Sequence, residues 1–290
     1  MPRPEPLRNP ALVAELQNAL ASRRYEALFP LLRRFSGLPG PRANDALALA
    51  FAEEVVRAGA AGDELVQRLC GITEAHAPPG SDGEFLPMVG AMCLGVRLAA
   101  NVDLRTLGEM RELADDARHR VRDAVVRALL HVSRTRGDEL AEKLSTWTDG
   151  YLGAAVALEA LTFRAWIDRA RTPDAVLARL DEAIALVENA PRSDHRTQGY
   201  RLLVKAMSEA PSRLLDRFPA ATSVWLESKA STGDVDLRSA LDDLLQKAHA
   251  SGHGAATLDK VEQAFAASAP PRRDPKTYVG PTRKRGARRR

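Results

Sequence analysis

The sequence predicts an all-α fold in which helix pairs stack on one another. Three observations predict it. Apolar residues recur at steps of three and four in segment after segment, without the alternation of a half-buried strand. Aromatic residues are only 5% of the chain while Ala, Leu and Arg are abundant, which favours helix over sheet. The segments are short and separated by Gly, Pro, Asn or Asp. Each pair alone cannot bury both faces, so stacking supplies the core.

The elements follow in order. Pro2, Pro4, Pro6 and Pro10 keep residues 1–9 extended. Asn9 caps a first helix with Pro10 at its first position. A second runs over about 24–35 with a kink at Pro30, and Ser36 to Pro41 breaks the chain. Asn44 or Asp45 opens the third, which runs through Val56, and Asp63 the fourth, to about His76. Ala77 to Gly83 is the longest internal loop signal. Helices are then expected at 84–99, from Asp103 to about 114, at 118–136 stopped by Gly137, and at 138–147. Further helices are expected at 151–171, 173–189, 194–210 capped by Ser193 or Asp194, 212–229, 235–250 and 255–268. Six pairs from about 24 to 250, with a capping helix at each end, make one domain over 10–268. The Pro-, Gly- and Arg-rich tail, 269–290, is expected to be disordered.

One stretch organises the chain: Leu113–Val132, LADDARHRVRDAVVRALLHV. Val121, Ala124, Val125, Ala128 and Val132 form one apolar face. Asp115 and Asp116 precede the first turn, where carboxylates satisfy free N–H groups and favour the dipole. Arg120, Arg127, His131 and Arg134 fall on the opposite face, with Asp123 among them. Asp116, Val121-Arg122, Ala124 and Ala128-Leu129 resemble the turn and second helix of HEAT repeats. A weaker copy is Asp234-Val235-Asp236-Leu237-Arg238. Three repeat steps between the copies would each be roughly 39 residues, close to the ~40–47 of HEAT-type units. The resemblance implies a right-handed α-solenoid, an Asp–Arg ladder served by Arg122 at a joint between repeats, and second helices lining a concave face. It implies no reaction.

Composition bounds the rest. Hydrophobic content of 45% and charged content of 28% suit a chain that buries a core. The longest apolar run, Met88 to Ala100, contains Arg97 and falls short of a membrane span. The first residues lack the apolar centre of a signal peptide, so a cytoplasmic location is expected. Two thiols, Cys70 and Cys93, suit a reducing compartment and read as small buried hydrophobes. The net charge of +4 is uneven. Residues 270–290 carry nine cations against Asp274, a net +8, leaving −4 on the rest.

That imbalance decides the expected binding. The body is not a nucleic-acid footprint as a whole. On the organising helix, Arg118, Arg120, Arg127 and Arg134 could track phosphates or a partner along the concave face, although charge on one helix face is ordinarily just solvated. The tail residues Arg272, Arg273, Arg283, Lys284, Arg285, Arg288, Arg289 and Arg290 suit a polyanion without reading sequence. A partner protein is the first expectation, nucleic acid the alternative, with no cofactor, metal or membrane. Gly90 and Gly95 have the spacing of a phosphate loop, but Val96-Arg97 stands where Lys-Ser/Thr is needed. His249 and His253 have a metal-binding spacing, with Asp259 and Glu262 nearby, but Gly252 and Gly254 break that helix. The architecture is also similar to alkylpurine DNA glycosylases built from HEAT-like repeats. Trp147 with Asp149 and Trp166 with Asp168 are the local candidates for such a Trp–Asp site. Two residues apart on a helix places the partners on opposite faces, so neither pair makes a site by itself.

Overall fold

The computed structural model describes residues 7–250, 252 and 255–268, and among these every regular element is helical. The first half holds α1 (Pro10–Ser22), α2 (Leu28–Arg34), α3 (Asp45–Arg57), α4 (Ala60–Cys70), α5 (Phe85–Ala100), α6 (Leu104–Ala114) and α7 (His119–Lys143). The second holds α8 (Tyr151–Leu161), α9 (Arg164–Ile167), α10 (Asp174–Glu188), α11 (Gln198–Arg217), α12 (Pro219–Lys229), α13 (Val235–Ala250) and α14 (Ala255–Ala267). Residues 1–6 and the tail 269–290 lie outside the described residues, and so does the expectation of disorder there.

Local chemistry sets most starts. The Asn9 side chain accepts from the Ala11 and Leu12 N–H groups, Asn44 from Leu47, and Asp103 from Thr106. Several boundaries differ from expectation: α2 begins at Leu28 rather than about Arg24, and α4 runs from Ala60 to Cys70 rather than from Asp63 to about His76. At Arg136, beside the expected stop at Gly137, the backbone leaves helical geometry (φ −136°, ψ 34°), so α7 is two helical stretches meeting at a kink, the second ending at Lys143; a Cβ at Gly137 would lie 3.7 Å from the Trp166 indole nitrogen. The 151–171 segment is not one helix. It ends at Leu161, and Phe163 turns extended so that Trp166 and Ile167 enter the core. Pro211 sits inside α11 because Ala210 and Pro211 are both buried; a turn there would strand backbone groups in the core. The break falls instead at Phe218, with Pro219 at the first position of α12. Thr197, not Ser193 or Asp194, caps α11.

Packing runs between sequence neighbours. The chief contacts pass from α3 to α5, α7, α8, α11 and α13 in turn. α4 and α6 flank α5, α10 lies on α8 and α11, and α12 joins α11 to α14. One apolar core runs from Leu7 to Val261. α5 is its centre, buried on every face from Phe85 to Gly95. With the preceding turn it forms a 19-residue stretch, Asp82–Ala100, of mean hydropathy 1.3, long and apolar enough by those measures to cross a bilayer, and 78% of it is buried inside the fold. The two glycines with phosphate-loop spacing serve this burial. A Cβ at Gly90 would lie 2.9 Å from the Cys70 sulfur, and one at Gly95 would lie 2.8 Å from the Ala128 Cβ. They let α4 and α7 close onto α5.

Helix ends are closed by cations from elsewhere, as the free carbonyls and negative dipole there favour. Arg118 donates to the Ile72 and Ala77 carbonyls beyond α4, at 2.8 and 3.0 Å. Arg136 reaches Ala100 at the end of α5, at 2.7 Å. Arg179 reaches Ala141 and Glu142 near the end of α7, at 3.1 and 3.2 Å. Arg238 reaches Phe265 and Ser268 at the end of α14, at 2.6 and 3.2 Å. The ladder expected of Arg122 is not formed. Arg122 donates to Asp116 and Ala117, the carbonyls of its own turn, at 2.6 and 2.8 Å. Arg118 instead ties the start of α7 to the segment that follows α4. Asp116 does not cap α7 either: its carboxylate accepts from the Arg118 backbone N–H at 2.8 Å and from the Arg118 guanidinium.

Candidate binding groove

Helices α7, α8 and α11 leave an open groove of about 230 Å³ between them. Its floor is apolar: Leu152, Ala155 and Val156 from α8, Leu202 and Ala206 from α11. The helical step places these residues on one face of each helix. Its rim is charged: Asp123 from α7, Glu159 from α8, and Lys205, Glu209 and Arg213 from α11. Glu209 lies 3.1 Å from Arg213 and 4.0 Å from Lys205. Asp123 and Glu159 make no ion pair among the described residues. The groove walls deprive the Glu159 carboxylate of hydration, and Asp123 adds repulsion, so its pKa is raised despite opposition from Arg213 and Lys205. Glu159, Thr162 and Arg213 also border an adjoining space of about 650 Å³ lined by Phe163, Ile167 and Arg217. Phe163 is among the few large apolar side chains left exposed. An apolar floor between charged rims suits an amphipathic segment of another chain.

The arginines expected to form a concave phosphate track are not brought together as one. Arg118 is corrected outright: it is 1% exposed, with its guanidinium consumed by Asp116, Ile72 and Ala77. Arg120 donates to the Gly40 carbonyl at 3.1 Å and lies 3.9 Å from the buried Glu84. Arg127 pairs with Asp45 at 3.0 Å. Arg134 is exposed and makes no ion pair among the described residues. The tail cations from Arg272 to Arg290 lie outside the described residues.

The other candidates fall into the interior or the surface. Trp147 and Trp166 are buried, while Asp149 and Asp168 face solvent and pair with Arg111 and Arg164. Trp225 donates to Asp181 at 2.8 Å. Burial pushes the Cys70 thiol up to about 12 and the Cys93 thiol up as well, so neither is a reactive thiolate. His249 pairs with Glu262, and His253 lies outside the described residues.

Sequence reasoning missed a polar joint at one end of α8, α11 and α13. Tyr151 donates to Asp194 at 3.0 Å, and Tyr200 to Asp236 at 2.7 Å. His195 lies 3.1 Å from the same Asp236 oxygen and stacks on Tyr200, ring centroids 4.5 Å apart. A signal was present, since a tyrosine sits in the first turn of both α8 and α11 in a chain poor in aromatics. The groove residues had a signal too, small and apolar side chains beside charge on α8 and α11, but nothing in the sequence says those faces oppose each other. No protein-family model matches this chain, and neither does any curated protein or solved structure.

Proposed function

We propose that this chain is a non-enzymatic binding scaffold whose groove along α7, α8 and α11 takes an amphipathic segment of a partner protein. The observation that carries this is the apolar floor of Leu152, Val156 and Leu202 between the rims of Asp123, Glu159 and Lys205. The reading includes a HEAT-like right-handed solenoid of about six helix pairs, with the groove on its concave side. Its support is the passage of contacts between sequence neighbours, and the arginines that tie one unit's helix end to the next. The test is a photocrosslinking residue at Leu202 in the groove, compared with one at the exposed Leu104 on α6. A partner adduct specific to position 202 and lost on adding Ala206→Arg is expected. Equal adducts at both positions, or adducts indifferent to Ala206→Arg, overturn the reading.

The +8 of residues 270–290 favours a second reading, binding of nucleic acid through the tail alone. Gel shifts that vanish when Arg283, Lys284 and Arg285 become Gln, and persist with Arg134→Gln, are its expected signature. Shifts that survive the tail changes overturn it.

A further inference from the structure

A second groove, of about 490 Å³, lies between α4 and α6, which both pack on α5. Its floor is apolar, formed by the buried Val66 and Leu113 with Ile72 and Cys70. Its walls carry Glu74, Glu109, Glu112 and Asp116. Glu109 pairs with Arg105 at 3.1 Å and Asp116 with Arg118 at 2.6 Å, while Glu74 and Glu112 are exposed and make no ion pair among the described residues. Both flanking helices end on this groove, at Cys70 and Ala114, so the negative ends of two helix dipoles add to the carboxylates. The raised Cys70 thiol, shifted first by burial and then by Glu109, senses the same field. A guanidinium is already seated at its inner end: Arg118, on the Ile72 carbonyl beyond α4.

We propose that this groove is the docking site of the chain's own arginine-rich C-terminal segment, residues 283–290. Six of those eight residues are cationic, and the +8 tail faces a body of −4. Guanidinium groups suit a groove of carboxylates because their fork of donors matches the two carboxylate oxygens. From Ser268, the last described residue, 15 residues lead to Arg283, and an extended chain of that length spans ~50 Å. Four prolines in that linker favour extension. Docking also gives the tail a regulated role. A polyanion and the groove compete for the same cations, so polyanion binding frees the groove. The proposal shares no residue with the α7–α11 groove and stands or falls apart from it.

The test is zero-length carbodiimide coupling on the full chain, which joins lysine amines to carboxylates in contact, mapped by mass spectrometry. Lys276 and Lys284 are the tail's reporters. Expected are amide links from Lys284 to Glu74 or Glu112, lost at about 1 M salt, where the screening length falls to ~3 Å. Heparin, used as the polyanion probe, removes the same links. In Glu74→Gln with Glu112→Gln, which changes only exposed side chains, tryptic cleavage at Arg283 and Arg285 becomes several-fold faster. Links spread equally to Asp242 and Asp243, no links at all, or cleavage rates equal to the unmodified chain overturn the proposal. In a mixture of isotopically heavy and light protein, links within one chain are expected; heavy–light links overturn docking within the chain.

Discussion

Arg118→Met tests whether one buried guanidinium holds two successive helical units together. Methionine keeps much of the aliphatic stem and removes every donor. The Ile72 and Ala77 carbonyls then lose partners at 2.8 and 3.0 Å, and the Asp116 carboxylate loses partners at 2.8 and 2.6 Å. Each orphaned buried acceptor costs about 1–3 kcal/mol. The carboxylate is partly open to water, which moderates its share. Breaking one partner out of such a buried set costs about 3–5 kcal/mol in all. At ~2–4 °C per kcal/mol for a chain of this size, the midpoint falls by roughly 10 °C. Thermal unfolding followed by far-ultraviolet circular dichroism reads this directly. Arg134→Met, on the same helix and exposed, is the control and should change stability by no more than ~0.5 kcal/mol. If the two variants melt together, Arg118 does not carry the joint, and the reasoning from its hydrogen bonds is wrong.

Three further outcomes are expected. Val125→Asp places an unpaired charge at a fully buried position of α7 and should cost several kcal/mol in urea unfolding, with an unchanged midpoint showing that this face of α7 does not pack. His131 has its pKa lowered, first by burial and then by Arg134, so the unfolded chain takes up its proton first and stability falls as pH drops below the unfolded value of ~6.5. Comparing urea midpoints at about pH 7.5 and 5.5 in the native chain and in His131→Leu checks this, since the His131 share of the loss should vanish in the variant. Gly95→Val forces side-chain atoms into Ala128 and should lower the melting midpoint more than Gly108→Val, where a Cβ has nothing within 4 Å.

The helical class and most starts could be read from sequence because they rest on local rules. Asn9, Asn44 and Asp103 cap where their side chains predict. The ends were harder, because local and tertiary preferences disagree. Pro211 is a strong breaker in isolation, yet it sits where packing holds the helix through it, whereas the break expected at Gly137 does appear, as the kink at Arg136. Thr162–Phe163 carries no strong breaker, yet the chain turns there to bury Trp166. The arginine stripe shows the same limit at the level of the site. Periodicity placed Arg120, Arg127 and Arg134 on one face, but it could not show that Gly40 and Asp45, some eighty residues earlier, meet two of them. Arg118 was read as part of that surface stripe and is buried instead, since its carbonyl partners Ile72 and Ala77 leave no trace in residue identity. The groove of Asp123, Glu159 and Lys205 depends on three helices facing one another, which no local pattern encodes.

The enclosed position of α5 has a consequence for synthesis. Ribosomes deliver the chain from its amino end, so an apolar rod of membrane-spanning length emerges before the segment that seals it around Gly95 has been made. Until Ala128 and its neighbours arrive, that rod must be shielded by whatever attends the nascent chain. A fragment ending at Ala100 would therefore be the wrong place to cut: it would leave a sticky flank bare, and would clump in the tube where a fragment continuing through Lys143 would stay dispersed.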